Sequence, residues 1–229
     1  LEHICSGHEL LDDKSREIEA GLPKRPHDWC LSLRPWRFVN LASDRVRRHI
    51  DLLAEAGVTV TPTLAILEVI SRSEEASKNL HSRSNIPGSL VNAWQSSWPA
   101  ESYSDDDIAG GNKEWETLLE FVSMLYAADI PIVAGTDVPN PGTFPGSSLH
   151  REIRLLSECG LGIIGAIHAA TGKAAELMQR NDIGAIRSGK KADFLIVNGD
   201  LSTNLQHLNN IQAIFREGNL IKGNLPLTN

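Results

Sequence analysis

Apolar residues recur along much of the chain with the spacing of amphipathic helices. Val46, Ile50 and Leu53 share one face of a predicted helix. Ser43 is a suitable N-cap for that helix, and Gly57 stands where a C-terminal glycine is expected. Further helices are predicted over Glu9–Ala20, over Leu64–Leu80, along the stripe Trp115, Leu118, Val122 and Leu125, along the stripe Leu149, Ile153 and Leu156, and over Ile164–Gln179.

Short apolar or β-branched runs separate these helices and predict buried strands. Val58–Thr61 is stopped by Pro62, and Pro131–Ala134 leads into Gly135-Thr136-Asp137. Leu1–Ile4 is predicted to be the end of a strand that began upstream. Alternating strands and helices are typical of a parallel α/β fold, so Val58–Thr61 and the Ile132 strand should be parallel neighbours.

The pattern changes after Asp182. Short strands separated by glycines are predicted at Phe194–Val197, Ala213–Arg216 and Asn219–Lys222. They should form a β element outside the parallel sheet. We therefore expect two parts, an α/β part over residues 1–183 and a small β part over residues 184–229.

The composition changes over residues 81–111. Ser, Pro, Gly and Asn dominate there, with Trp94 and Trp98 interleaved. Connections this long usually are lids or binding loops when they are ordered, and the tryptophans favour order. One hypothesis for the chain is therefore a small-molecule binder that uses this loop and performs no chemistry.

Composition narrows the classes of function. The formal net charge is −7, and no run of like charge exceeds Asp105–Asp107, which argues against a nucleic-acid partner. The apolar runs are too short to cross a membrane, and no signal peptide is visible. The three cysteines match no paired motif, so reduced thiols in a cytoplasmic protein are expected.

Candidate chemistry lies where predicted strands end. Asp137 directly follows a strand and would lie at the carboxyl edge of a parallel sheet, where catalysis occurs in barrels. Alternatively, Asp137 only caps the turn 138–142. His3 also ends a strand. His150 begins the next helix and would point toward the same edge, or would simply be an exposed first-turn residue, whereas His168 is expected to be a satisfied helix histidine.

Other catalytic motifs are poorly supported. Gly184–Lys191 nearly spells a phosphate-binding loop, but Lys191 replaces the Ser or Thr that would hold magnesium. The stretch also leads into a strand, whereas a phosphate-binding loop leads into a helix. The chain contains neither a Gly-x-Ser-x-Gly elbow nor a Gly-x-Gly-x-x-Gly fingerprint, so a serine hydrolase or a dinucleotide enzyme is not indicated.

Much of the chain resembles the metal-dependent amidohydrolase superfamily, in particular its imidazolonepropionase-like and Xaa-Pro dipeptidase-like members. The similarity is carried by Gly135–Asp137, Pro141–Glu152, Ala169–Leu177, Gly184–Asp200, Glu2–His3 and Gly57–Leu64. It implies that residues 1–183 are the C-terminal part of a (β/α)₈ TIM-type barrel. Residues 184–229 would be strands of a small β-sandwich.

The resemblance also implies an activity and a site. It implies a hydrolase of carbon–nitrogen bonds in amide, cyclic amide or dipeptide substrates, with one or two divalent metals, usually zinc. His3 would be the metal-binding histidine of strand six, and Asp137 the metal-binding and catalytic aspartate of strand eight. His150 would lie near the substrate. Two ligands of one zinc would bring a His3 ring nitrogen and an Asp137 oxygen within roughly 3–5 Å of each other.

The sequence departs from the family pattern in one respect. It contains no His-x-His, which supplies the strand-one ligands, and only three barrel strands are predicted where closure needs eight. The chain also begins with Leu1. We therefore expect a fragment, inactive alone, that associates with itself or with a missing N-terminal half. The alternative is a catalytically inactive binding or assembly module.

Overall fold

The computed structural model describes residues 1–4, 6–22, 33–72, 87–97 and 105–223. This part of the chain is mainly helical and carries one small sheet. Its α-helices are α1 (Asp13–Ala20), α2 (Asp44–Glu55), α3 (Leu64–Ser71), α4 (Gly88–Ser97), α5 (Asp105–Ala127), α6 (Ser147–Leu156), α7 (Gly162–Ala169) and α8 (Gly172–Leu177). Shorter helical turns are the 3₁₀ helices His8–Leu10, Arg34–Arg37 and Leu205–Asn209 and the π-helical turn Ser157–Leu161.

Three extended segments lie side by side: residues 1–4, 58–63 and 131–137. Glu2 pairs with Thr61 and Val60 pairs with Ile132, both in parallel. The His3 N–H donates to the Thr61 carbonyl at 3.0 Å, which aligns the first two segments. The predicted parallel neighbours are confirmed, although each pairing is a single bridge instead of a longer strand.

The borders of α2 follow the sequence closely. The Ser43 hydroxyl accepts a hydrogen bond from the Val46 N–H at 3.3 Å, and Gly57 has a φ of 62° just past the helix end. Val46 and Ile50 are buried. The predicted N-cap and apolar stripe are confirmed because both depend only on residues close together in sequence.

The loop predicted for residues 81–111 is wrong in the residues that the structure describes. They form α4 and the start of α5, which passes through Gly110 and Gly111. Trp94 is buried there, and Trp98 lies outside the described residues. The glycines fit a close helix contact, since a Cβ on Gly111 would lie 2.3 Å from the Ser71 carbonyl oxygen.

Two other helix predictions are corrected. The single helix expected over 164–179 is divided into α7 and α8, because Thr171 has non-helical dihedrals (φ −131°, ψ −87°). On α6 the face is rotated from the predicted one: Leu149 is exposed, while Ser148 and Glu152 are buried beside Leu155 and Leu156.

Two more predicted helices are shorter than expected. Residues 9–20 contain a 3₁₀ turn and α1, where one helix was predicted. The Asp12 carboxylate accepts a hydrogen bond from the Ser15 N–H, which starts α1 only at Asp13. α3 ends at Ser71, and the rest of the helix predicted to Leu80 lies outside the described residues.

A buried apolar cluster lies between the extended segments and the helices. Val60 and Ile132 supply it from the segments. Trp36 packs on Phe121 of α5 with ring centroids 5.1 Å apart. The helices contribute Leu64, Leu67, Leu118, Val122, Leu125, Leu155 and Leu156, all fully buried.

The C-terminal part contains β1 (Phe194–Val197), β2 (Ile211–Arg216) and β3 (Asn219–Gly223), paired antiparallel in that order. The stacked rings of Phe194 and Phe215 join β1 to β2 at 4.6 Å. This sheet is separate from the parallel segments, as predicted. None of the described helices has the length and apolarity of a membrane span.

Candidate functional site

His3 and Asp137 come together at the carboxyl ends of two extended segments. His3 Nε2 lies 4.0 Å from Asp137 Oδ2, and each side chain is 30% exposed. The segment 58–63 runs between them and pairs with both neighbours. A nitrogen and an oxygen donor atom that the sequence places at two different strand ends therefore lie close together and partly exposed.

A hydrogen-bond chain fixes the orientation of the His3 ring. His3 Nδ1 lies 2.9 Å from the Thr63 hydroxyl oxygen, and that hydroxyl donates to the Pro62 carbonyl at 2.7 Å. When the hydroxyl donates to Pro62, the neutral ring that bonds to it carries its proton on Nδ1. The contact at Nδ1 leaves Nε2 on the side of Asp137.

The backbone is unusual at all three residues. His3, Thr63 and Asp137 have positive φ values of 62°, 56° and 52°. Side chains other than glycine rarely adopt this left-handed conformation, and such residues gather at functional sites where the surrounding structure enforces them. At each of these residues the left-handed conformation changes the direction of the backbone where an extended segment ends.

The Asp137 carboxylate is not used to cap the turn that follows it. The Asp137 main-chain carbonyl accepts from the Asn140 N–H at 3.2 Å and from the Asn140 side-chain amide at 2.8 Å. These bonds close the turn without the carboxylate, which remains available on the His3 side.

His150 lies near the start of α6, as its fourth residue, and is partly exposed. Among the described residues, its ring has no hydrogen-bond or ion-pair partner. The neighbouring Arg151 forms a two-pronged ion pair with Glu68 of α3. The ion pair joins α6 to α3, and both His150 and Arg151 are partly exposed.

Sequence reasoning missed Glu152, which is fully buried. Its Oε2 accepts from the Ala65 N–H at 2.6 Å. Burial raises the Glu152 pKa to about 8, against the lowering effect of the Ala65, Leu64 and Gly135 N–H groups. No local pattern marked it, because the predicted apolar face of α6 did not include Glu152 and its partner Ala65 is distant in sequence.

The cysteines and the stretch that resembles a phosphate-binding loop are not placed for catalysis. Cys159 is free and buried, and burial raises its pKa to about 12, so the thiol stays protonated. Cys5 and Cys30 lie outside the described residues. In residues 184–191, which resemble a phosphate-binding loop, the Lys190 amine donates hydrogen bonds to the carbonyls of Asn181 and Ile183.

The donor set suits part of a divalent-metal site. Imidazole nitrogen and carboxylate oxygen are both ligands of zinc, and His3 Nε2 lies 4.0 Å from the Asp137 carboxylate. Among the described residues, no group of three or more His, Cys, Asp or Glu side chains could hold a metal. His3 and Asp137 thus fit a metal but supply fewer ligands than a complete site.

The chain belongs to the amidohydrolase family, whose model matches residues 41–223. The family generally uses divalent metals. No curated protein matches the sequence.

Solved structures share the fold at low sequence identity. A bottromycin amidohydrolase matches with a TM-score of 0.60 and 23% identity, over 97% of this chain and 45% of its own. An Xaa-Pro dipeptidase with bound methionine in its active site matches with a TM-score of 0.54 and 20% identity, over 82% of this chain and 38% of its own. Ochratoxinase of A. niger matches with a TM-score of 0.55 and 17% identity, over 98% of this chain and 37% of its own. The chain therefore spans less than half of each of these proteins.

Proposed function

We propose that this chain forms the C-terminal part of the (β/α)₈ barrel of a metal-dependent hydrolase that cleaves carbon–nitrogen bonds in amides, cyclic amides or dipeptides. Residues 1–183 would belong to the barrel and residues 184–229 to its β-sandwich. Family membership and the three parallel segments support this assignment. The observation that carries it is the 4.0 Å approach of His3 Nε2 to Asp137 Oδ2.

His3 and Asp137 would hold the metal, for which zinc is our proposal. When bound, a divalent metal lowers the pKa of a water molecule toward ~7 and polarises the scissile carbonyl. The contact with Thr63 occupies His3 Nδ1 and leaves Nε2 available as a ligand. This resembles the outer hydrogen bonds that orient metal-binding histidines in general.

Asp137 would also move the proton. Its carboxylate is partly exposed and free of the turn, so an oxygen can accept the proton of an attacking water. The same carboxyl group would then deliver that proton to the leaving nitrogen. We place His150 near the substrate, since it lies near the start of the helix that follows the Asp137 loop and is partly exposed.

Zinc titration of matched variants tests the metal site. His3→Ala and Asp137→Asn should each lower zinc affinity by at least ~10-fold, because a lost ligand costs no less than a lost outer partner. His49→Ala removes another partly exposed histidine, on α2, and Asp129→Asn changes another aspartate of positive φ (58°). Both controls should bind zinc like the wild type.

A second candidate function is an amidohydrolase-like binding or assembly module without catalysis. The small number of metal donors among the described residues favours it. Zinc affinity that is unchanged by both His3→Ala and Asp137→Asn would support this module and contradict the metallohydrolase.

A further inference from the structure

One aromatic side chain of α4 packs against the loop that follows Asp137. Among the described side chains of α4, residues 88–94, Trp94 alone is buried, with 5% of its surface exposed. Its ring meets the Phe144 ring edge-on, with ring centroids 5.1 Å apart and planes at 64°. Phe144 lies on the loop 138–146, which joins Asp137 to α6. An otherwise exposed or partly exposed stretch of helix thus contacts the loop of the candidate catalytic residue.

The contact between Trp94 and Phe144 is separate from the main apolar core. Within the described part of the chain, neither ring belongs to the buried cluster between helices and extended segments, or to the partly buried residues packed against that cluster. Edge-on aromatic pairs are stabilising beyond the apolar area that they bury. Packing of the core therefore does not explain this pair, and its effect falls on the loop.

Hydrogen bonds within the loop connect the neighbour of Phe144 to Asp137. Thr143 is fully buried, and its N–H and its hydroxyl donate to the Asn140 carbonyl at 3.0 and 2.7 Å. The Asn140 N–H and side-chain amide donate in turn to the Asp137 carbonyl at 3.2 and 2.8 Å. Residues 137–143 thus form one hydrogen-bonded turn, so that a shift of Phe144 acts on the Asp137 backbone.

Two further helices border the same loop. The Phe144 N–H donates to the Ser148 hydroxyl of α6 at 2.8 Å, and the Ser148 N–H donates to the Phe144 carbonyl at 3.1 Å. Gly142 is packed against α3, since a Cβ there would lie 2.5 Å from a Val69 methyl group. The bonds with Ser148 are local to the start of α6, whereas Trp94 comes from a distant part of the chain. Its contact therefore adds a restraint that the loop and α6 do not supply themselves.

We propose that Trp94 is a positioning residue, which packs on Phe144 and thereby holds the loop that fixes the Asp137 backbone beside His3. It acts through Phe144 and the bonded turn. Its value for catalysis rests on the proposed function, but the positioning itself can be measured without metal or substrate.

Amide hydrogen exchange of the 229-residue chain measures the order of the loop. The N–H groups of Asn140 and Thr143 report on the turn, and the Val133 N–H in the third extended segment reports on the core. Trp94→Ala should raise exchange at Asn140 and Thr143 roughly tenfold and leave Val133 unchanged. Trp94→Phe keeps an aromatic ring and should stay close to wild type. Asn92→Ala, at an exposed position of α4, is the matched control and should change nothing.

A double-mutant cycle tests whether the effect passes through Phe144. Phe144→Ala should raise exchange at Asn140 and Thr143 as well. The double variant with Trp94→Ala should show no more than the larger single effect, because both changes remove one contact. Effects that multiply in the double variant would overturn the proposal. Unchanged exchange at Asn140 in Trp94→Ala, or an equal rise at Val133, would overturn it too.

This proposal and the proposed function fail in different ways. If the loop amides ignore Trp94→Ala while zinc binding still depends on His3 and Asp137, positioning by Trp94 is wrong and the metal site stands. If the loop amides respond but zinc binding ignores His3 and Asp137, Trp94 orders the loop and the metallohydrolase assignment is wrong.

Discussion

The His3 ring and the Thr63 hydroxyl form a hydrogen bond of 2.9 Å between the ends of two parallel segments. The hydroxyl oxygen also lies 2.7 Å from the Pro62 carbonyl oxygen, to which it can donate. Since Thr63 occupies Nδ1, a ligand of His3 would approach Nε2, on the side of Asp137.

Removing the Thr63 hydroxyl should weaken metal binding. We expect Thr63→Ala to lower zinc affinity ~10–100-fold, because outer partners of ligating histidines have effects of this size. Thr63→Ser keeps the hydroxyl and should stay close to wild type. Competition with a chromophoric chelator measures both, and equal affinities for the two variants would show that the hydroxyl does not orient His3.

The 229-residue chain alone should bind zinc weakly and show no amidohydrolase turnover. A catalytic zinc usually has three protein ligands, whereas His3 and Asp137 are the two assigned here. Stoichiometric tight binding, or clear hydrolysis of amide or dipeptide substrates by this chain, would contradict the incomplete-site argument.

In a protein extended to the complete barrel, zinc binding and hydrolysis should both appear. Asp137→Asn should then abolish turnover while circular dichroism stays unchanged, since the amide keeps the shape but cannot take the proton. Asp129→Asn serves as the matched control and should remain active. Full activity of the Asp137→Asn protein would show that Asp137 is not the catalytic residue.

Stability should depend on pH through Glu152. Burial raises its pKa from 4.5 to about 8, and the Glu68 carboxylate adds to the rise. The folded protein thus keeps a proton that the unfolded chain releases. The contribution of Glu152 to the unfolding free energy is complete below about pH 4.5 and falls as the pH rises toward about 8, above which it no longer changes. Between these values the unfolding free energy should fall by up to ~1.4 kcal/mol per pH unit.

Urea unfolding at several pH values between about 5 and 9 measures this effect. Glu152→Gln cannot titrate, so the difference between its unfolding free energy and that of the wild type isolates Glu152. Cys159 also feels the Glu152 charge, but its pKa of about 12 keeps the thiol neutral over this range. A difference that is constant with pH would contradict the prediction.

Gly111→Ala should destabilise the protein although alanine favours helices. The propensity gain is about 1 kcal/mol. The new Cβ, however, would lie 2.3 Å from the Ser71 carbonyl oxygen, and overpacking of this kind costs about 1–3 kcal/mol or more. Gly88→Ala on α4 meets nothing within 4 Å and should be neutral or stabilising in thermal unfolding.

Local sequence signals predicted the elements that depend on local contacts. The Ser43 cap, the α2 stripe and the β strands after Asp182 follow from spacing and capping chemistry. The loop predicted over 81–111 is wrong because it depends on contacts between residues distant in sequence. The glycines that suggested a loop allow α5 to approach Ser71, and this close contact is visible only in the packed structure.

The sequence by itself determined that Asp137 and His3 each end an extended segment, because apolar runs and the residues that stop them are local features. It also carried the family resemblance, and the family is confirmed. Only the tertiary structure decided that the two side chains lie close together, that Thr63 contacts the His3 ring, and that the buried Glu152 bonds the start of a distant helix. The Glu152–Ala65 bond spans 87 positions in sequence, and contacts of that range arise from chain packing and leave no periodic signal in the sequence.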